Sequence, residues 1–227
     1  MQGTKGMRDM RDTMHNTTGI ILAGGQSRRM GQDKRRLRLW GATAPTLLEH
    51  TCAVLAPLCT ATLVVFADAE DAAAWPLPGI QAVWDAAPDA GVPAALVAGL
   101  QAMATPHALV VAADLPLLNV ALLTALRDDP RPCDLLVPRA LHTRTRNAWH
   151  AEPLHARYAH SCLPMLQAMV ARGQRRITDL LAQVQVAWFE PEQTCQYDPH
   201  GHSFLNINTP ADLAQLQAVL HYEHNAE

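Results

Sequence analysis

The sequence predicts a three-layer α/β/α fold with a mostly parallel central sheet, and three observations point to it. Short apolar runs alternate along the chain with helical patterns, which is typical of parallel strands covered by helices on both faces. The chain has 227 residues, of which 49% are hydrophobic, so its length suits one α/β domain with a sizeable core. Glycines or carboxylates follow several apolar runs, and ligands of such Rossmann-like sheets bind beyond the carboxyl ends of the strands. We therefore expect the functional site at that edge.

Six short apolar runs are the predicted strands. They cover residues 19–23, 62–66, 81–84, 108–112, 134–138 and 185–189. The first four are followed by glycines or aspartates, which are Gly24-Gly25, Asp68, Asp85 and Asp114. Because the carboxyl ends of parallel strands meet at one edge, we expect these residues to lie near one another.

Helix signals separate the first five runs. Pro45 and Thr46 mark the start of a helix that reaches about residue 55. Residues 93–103 are apolar all round, which predicts a well-buried helix. Asn119 is the predicted N-cap of a helix that continues to residue 126.

The second half of the chain is also predicted to be rich in helix. Residues 153–172 have a helical pattern that ends at Gly173, and Pro164 is expected to split it into two helices. A shorter helix is predicted at 178–182. Thr209 is the predicted N-cap of the last helix, with Pro210 at its first position.

One domain is predicted for residues 18–220, between a flexible leader of residues 1–17 and a tail of residues 221–227. The leader lacks the apolar segment of a secretory signal. The sequence contains no run of 18 apolar residues, so no membrane span is expected. The net charge of −3 argues against a nucleic-acid-coating surface. Five cysteines without a C-x-x-C pair fit a reducing compartment, so we expect a cytoplasmic protein.

The stretch from Gly19 to Lys34 predicts a cradle for a polyphosphate. An apolar run ends at Gly24-Gly25, where the backbone can approach a bulky ligand, and three cations follow, which are Arg28, Arg29 and Lys34. Neither the P-loop pattern nor the dinucleotide fingerprint is present. A glycine-rich turn with a solvated basic face is the alternative interpretation.

The letters from Leu22 to Lys34 match L-A-G-G-x-S-x-R-M-G-x-D-K without a gap. This pattern resembles the signature of the nucleotidyltransferase family that includes molybdenum cofactor guanylyltransferases, and the resemblance extends over about residues 18–220. It implies that the nucleotide is bound by Leu22, Ala23, Gly24, Gly25 and Lys34. The resemblance also implies that Arg29 and Lys34 stabilise charge on the phosphates, with backbone amides of residues 23–25 holding them in line.

Two aspartates are further candidates. Asp114 follows a buried strand in a D-x-P motif, where an ionised carboxylate needs a partner and Mg²⁺ is a suitable one. The resemblance places a magnesium-binding aspartate at Asp114 and a nucleotide contact at Asp85. An N-cap or turn role for Asp114 and a surface turn for Asp85 are the alternatives.

One segment departs from the family pattern. The family's G-P-L-A-G corresponds here to Gly91-Val92-Pro93-Ala94-Ala95. Ala95 resists left-handed dihedrals, so we expect a differently shaped loop.

The C-terminal half is expected to receive the second substrate. The letters N-x-N-T-P place Asn206 and Asn208 on one face of a predicted strand, although capping alone would also explain Asn208. Arg175 and Arg176, with Arg144 and Arg146, are candidates to hold an anionic pterin, and a solvated basic face is the alternative.

The resemblance implies an enzyme that transfers GMP from GTP to molybdopterin with Mg²⁺ as cofactor, and that releases pyrophosphate. The implied partners are these two substrates, other proteins of cofactor biosynthesis and recipient molybdoenzymes, without nucleic acid or membrane. Transfer of CMP from CTP to the same pterin is one alternative, although Gly24 before Gly25 favours guanine. A non-catalytic protein that binds or delivers the cofactor is another, against which Lys34 and Asp114 argue.

Overall fold

The computed structural model describes residues 16–24, 33–84, 90–141 and 149–224, with only the backbone described at 141 and 221–224. Eight strands form one sheet: β1 (Thr17–Leu22), β2 (Ala61–Phe66), β3 (Gln81–Trp84), β4 (His107–Ala112), β5 (Leu135–Leu141), β6 (Trp149–Ala151), β7 (His155–Ala159) and β8 (Val186–Phe189). Their order is β3-β2-β1-β4-β7-β5-β6, and β8 lies beside β5. Strands β6 and β7 run against the other strands, so the sheet is mostly parallel, as predicted.

Seven helices are found among the described residues: α1 (Leu47–Leu55), α2 (Ala69–Ala73), α3 (Val92–Ala102), α4 (Val120–Asp128), α5 (Leu163–Ala171), α6 (Pro191–Tyr197) and α7 (Pro210–His224). Short 3-10 turns occur at Lys34–Arg36, Ala56–Leu58, His160–Cys162, Ile177–Ala182 and His202–Phe204. None of the helices in the described part of the chain is long and apolar enough to cross a membrane.

The helices cover both faces of the sheet, which confirms the three-layer prediction. Ile20 and Ile21 are neighbours in β1 and are both fully buried, but each belongs to a different core cluster, because successive strand residues point to opposite faces. Helices α1 and α4 pack on the side of Ile21, and α3 and α5 pack on the side of Ile20. At Gly99 of α3, an added Cβ would lie only 2.9 Å from the Ile20 side chain, so the glycine permits this close approach.

The six strands predicted from apolar runs are all present, with ends shifted by a few residues at most. The predicted helix boundaries at Thr46, Asn119 and Thr209 are also confirmed, since α1, α4 and α7 each begin at the next residue. Strand β1 begins at Thr17, one residue inside the predicted leader. Residues 1–15 lie outside the described residues, so the leader itself stays a prediction.

The helical prediction for residues 153–172 is wrong in its first part. Residues 155–159 form β7, which lies between β4 and β5 in the middle of the sheet and runs antiparallel to both. Helix α5 starts only at Leu163, and Pro164 sits in its first turn rather than splitting a helix. The prediction failed because His155 and Arg157 are polar residues at buried positions of a central strand, which hides the apolar signature of that strand.

Candidate active site

Three side chains meet at the carboxyl edge of the sheet. The Lys34 ammonium donates to Asp114 Oδ2 at 3.2 Å and to Asn208 Oδ1 at 2.8 Å. Lys34 begins a 3-10 turn, Asp114 lies two residues beyond β4, and Asn208 precedes α7. The Lys34 side chain is 14% exposed and that of Asp114 is 29% exposed, so the pair is partly shielded yet open to a ligand.

The fold explains why Asp114 is found here. Strands β1 and β4 are parallel neighbours that pair Leu22 with Ala112, and the Ala113 amide donates to the Leu22 carbonyl at 3.0 Å. The Asp114 carbonyl accepts from Ile207 at 3.1 Å, which brings the segment before α7 to the same edge. The N-cap of α4 is Asn119, whose side chain accepts from Leu122, so Asp114 does not cap that helix.

Asn208 takes part in the cap of α7 and also contacts Lys34, while its binding of substrate stays a prediction. Its backbone amide and that of Thr209 both donate to Asp212 Oδ2, at 2.9 and 2.8 Å, and Thr209 Oγ1 accepts from the Asp212 amide. This cap fixes the backbone of Asn208, while its side chain contacts Lys34.

The predicted strand at residues 206–208 is wrong, because the chain there is irregular. Asn206 is exposed, whereas Asn208 is half-buried, so the two amides do not share one environment. The reason is the capping geometry at the start of α7, which holds the backbone of Asn208 through Asp212 instead of through a neighbouring strand.

The structure also corrects the expectation for two backbone amides at the end of β1. Ala23 and Gly24 both donate to the Val65 carbonyl, at 2.9 and 3.1 Å, and so use the amides that were expected to hold phosphates. Leu22 and Ala23 are buried, and the Leu22 carbonyl accepts from Ala113. The contact of these residues with a nucleotide stays a prediction.

Several predicted site residues lie outside the described residues. They are Gly25, Arg28, Arg29, Asp85, Arg144 and Arg146. Their roles stay predictions.

Arg175 and Arg176 are exposed and precede the 3-10 turn Ile177–Ala182. Arg175 packs against Gly91, whose φ of +85° favours glycine; a Cβ there would lie 3.3 Å from the Arg175 Cβ and carbonyl oxygen. Gly91 directly precedes α3, so Arg175 lies beside the start of that helix. The expected loop at 91–95 is instead the first turn of α3, where Ala95 needs no left-handed dihedral.

Two titratable groups of the segment 152–155 have shifted pKa values that the sequence did not predict. Glu152 follows β6, and burial raises the pKa of its carboxyl to about 7. His155 is fully buried in β7, and burial lowers the pKa of its imidazole to about 3. The His155 ring packs against Phe204, and its Nε2 lies 3.5 Å from Ser203 Oγ. Both residues stand in the E-P-L-H segment, but only the fold reveals their burial.

Comparison with known proteins identifies the family. A family model described as "MobA-like NTP transferase domain" matches residues 19–187, which includes Lys34 and Asp114. The chain belongs to this family. A relative from Chloroflexus aggregans, named "Probable molybdenum cofactor guanylyltransferase", is 45% identical over 205 residues, which cover 89% of this chain and 94% of the relative. A relative of the same name from Natronomonas pharaonis is 33% identical, over 91% of this chain and the whole of the relative.

Solved structures share the fold. The structure of "Molybdopterin-guanine dinucleotide biosynthesis protein A" from Archaeoglobus fulgidus superposes with a TM-score of 0.75 at 27% identity, over 90% of this chain and 99% of that one. A 4-diphosphocytidyl-2C-methyl-D-erythritol synthase from Anaerococcus prevotii has a TM-score of 0.68 at 12% identity, over 93% of this chain and 98% of that one. The second likeness shows the fold alone.

Proposed function

We propose that the protein transfers GMP from GTP to molybdopterin, with formation of the guanine dinucleotide cofactor and release of pyrophosphate. The observation that carries this proposal is the 3.2 Å contact between Lys34 Nζ and Asp114 Oδ2 at the carboxyl edge of the sheet. The relative from Chloroflexus aggregans, named as a guanylyltransferase of the molybdenum cofactor and 45% identical, supports the choice of substrates.

The reaction needs little acid–base chemistry from the protein. The attacking group is the terminal phosphate of molybdopterin, a monoester whose second pKa of about 6 makes it mostly a dianion near neutral pH. A phosphate oxygen bonds to the α-phosphorus of GTP, the bond from that phosphorus to the β-phosphate oxygen breaks, and pyrophosphate leaves. The main barrier is the repulsion between two polyanions, so positioning and electrostatic stabilisation provide the catalysis.

Lys34 is well placed to stabilise that charge. Its ammonium is held between a carboxylate and an amide oxygen, and its side chain is mostly shielded from solvent. An ammonium in such an environment interacts more strongly with phosphate than one in bulk water. In the complex with GTP, we expect Lys34 to donate to the triphosphate, and Arg29 to assist it.

The donor set fits a metal ion that arrives with the nucleotide. Among the described residues there is no group of three or more His, Cys, Asp or Glu that could hold a metal ion. Asp114 offers one partly exposed carboxylate, and Mg²⁺ is commonly bound by one or two carboxylates together with substrate phosphates. Mg²⁺ held by Asp114 would neutralise phosphate charge. Lys34 would donate to the same phosphates.

The remaining assignments complete the proposal. Gly24 and Gly25 border the phosphates, and Asp85 contacts the base or ribose of the nucleotide. Arg175, Arg176 and Asn206 are candidates to bind the pterin, for which the exposure of the two arginines provides access. Proteins of cofactor biosynthesis and recipient molybdoenzymes are the expected protein partners, and the cytoplasm is the expected location.

Turnover with matched nucleotides tests this function. Purified protein is given molybdopterin and Mg²⁺ with either GTP or CTP, and pyrophosphate and the dinucleotide product are both measured. We expect product with GTP and at least about tenfold less with CTP, since base discrimination by hydrogen bonds exceeds 1.4 kcal/mol. Faster turnover of CTP would support the cytidylyl alternative, and binding of molybdopterin without turnover of either nucleotide would indicate a carrier.

A further inference from the structure

Arg35, which follows Lys34, uses all five N–H donors of its guanidinium. Asp33 accepts from Nε at 2.9 Å and from Nη2 at 2.8 Å, and Asp71 accepts from Nη1 at 2.7 Å and from Nη2 at 2.8 Å. The fifth hydrogen bond runs from Nη1 to the Ala23 carbonyl at 3.1 Å. Because every donor is occupied, this arginine has none left for a phosphate.

The acceptors of Arg35 belong to three separate segments. Asp33 precedes the 3-10 turn that begins with Lys34, Asp71 lies in the first turn of α2, and Ala23 follows β1. Below the guanidinium lie two aromatic rings, with centroids 6.0 Å (Phe66) and 5.4 Å (Trp75) from Cζ. The Arg35 side chain is only 16% exposed, so these contacts are largely shielded from water.

The turn that carries Lys34 lacks other anchors of this strength. The residues of Lys34–Arg36 include none that is buried, and a single 3-10 turn is not stable by itself. Its backbone bonds are local, from Arg36 to Asp33 and from Leu37 to Lys34. Beyond the turn, Lys34 contacts Asp114 and Asn208, and the Leu37 carbonyl accepts from the Leu47 amide of α1. The five bonds of Arg35 add the connection to the end of β1 and the start of α2.

Asp33 and Arg35 stabilise the charged forms of each other. Burial favours the neutral form of Asp33, but hydrogen bonds and the charge of Arg35 outweigh it and hold the pKa of that carboxyl below its ordinary value. Burial likewise opposes the charge of Arg35, and the bonds to Asp33 and Asp71 reverse this effect and raise the pKa of the guanidinium. Asp33 and Arg35 therefore stay ionised at neutral pH, and Arg35 keeps its bidentate hydrogen bonds to Asp33 and Asp71.

We propose that Arg35 is a positioning residue that fixes the turn of Lys34 to the end of β1 and the start of α2. The Lys34 ammonium is thereby held at Asp114 before the nucleotide binds. Arg35 does not contact the substrate and acts through Lys34. Its kinetic consequence rests on the proposed function, whereas its effect on the order of the turn does not.

Hydrogen exchange of the protein without ligand tests the structural part. Arg35→Gln removes the guanidinium, and Arg35→Lys keeps the positive charge but cannot reach all five acceptors. Asp71→Asn weakens the hydrogen bonds between Arg35 and α2. We expect amides of residues 33–38 to exchange roughly tenfold faster in Arg35→Gln, with smaller increases in the other two. Unchanged exchange in all three would overturn the proposal, whether or not the protein turns over GTP.

Arg36→Gln is the matched control. Arg36 is the next residue, its side chain is 57% exposed, and it contacts Asp33 at 3.9 Å and the Trp75 ring at 4.5 Å. It has no bond to Asp71 or Ala23 among the described contacts, so we expect its loss to leave exchange at 33–38 unchanged. Equal acceleration in both variants would show that any arginine removed from this turn has the same effect, and would contradict a specific role of Arg35.

A double-mutant cycle with Lys34→Ala tests whether Arg35 acts through Lys34. We expect Arg35→Gln to lower kcat by about 10- to 100-fold, because small displacements of a catalytic group have effects of that size. In the Lys34→Ala background the same change is expected to lower kcat less than about threefold, since coupled residues are not additive. Equal factors in both backgrounds would overturn the proposal. A wild-type protein without GTP turnover would contradict the proposed function, and the exchange result would then decide the positioning role.

Discussion

Lys34 is held by two acceptors that are far away in sequence. Asp114 lies 80 residues and Asn208 lies 174 residues further along the chain, yet both accept from the same ammonium. The first contact could be predicted, because β1 and β4 are apolar parallel strands and their ends meet. The second could not be predicted as a contact, because Asn208 is placed by the cap of α7 and by no strand.

His155 makes the stability of the protein depend on pH. It is buried and neutral in the folded protein, with a pKa of about 3, whereas an exposed histidine in the unfolded chain has a pKa near its ordinary 6.5. Below pH 6.5 the unfolded state binds a proton that the folded state does not, so stability falls as pH falls towards 3. Above pH 6.5 this contribution is fully present.

The variant His155→Gln isolates this contribution. Because other titrating groups are common to both proteins, we compare the free energies of unfolding of wild type and variant in urea at pH 8, 6 and 5. The advantage of the wild type is expected to shrink by about 1.4 kcal/mol for each pH unit below 6.5. The exposed His160→Gln is the matched control. A difference between wild type and His155→Gln that is constant with pH would contradict a buried, neutral His155.

Sequence patterns did not reveal β7, nor did they reveal the shorter elements β6, α2 and α6. The other central strands are continuous apolar runs, whereas β7 contains the polar residues His155 and Arg157 at buried positions. Arg157 is accommodated because its guanidinium donates to the backbone carbonyl of Arg127 in the last turn of α4 and to those of Asp129 and Arg131 beyond it. A long-range contact of this kind leaves no local pattern in the sequence.

Loss of Arg157 should therefore destabilise the packing of β7 against the end of α4. In Arg157→Met several buried carbonyls lose their donor, and we expect the free energy of unfolding to fall by about 3 kcal/mol. Arg172 is exposed and bonds only to glutamine side chains among the described contacts, so Arg172→Met should cost less than about 0.5 kcal/mol. Chemical denaturation measures both values. Equal costs would show that the carbonyl contacts of Arg157 contribute little.

At the scale of the whole molecule, the sheet brings distant segments of the chain together. Lys34, the D-x-P turn with Asp114 and the segment before α7 with Asn208 are far apart in sequence, and the fold brings these three side chains together at one edge. The sequence predicted the three-layer architecture because parallel strands buried on both faces leave strong apolar runs. It did not predict the hydrogen bonds of Arg35, because Asp71 and Ala23 approach that arginine only through the packing of α2 and β1.

The central claim is that Lys34 and Asp114 act on one bound triphosphate. A crystal structure of the protein with GTP and Mg²⁺ tests it most directly, with the positions of both side chains measured relative to the phosphates. The account predicts that Lys34 Nζ lies within hydrogen-bond distance of a phosphate oxygen and that the Asp114 carboxylate binds the metal ion on the same triphosphate. A triphosphate bound elsewhere, with Lys34 still paired to Asp114, would contradict it.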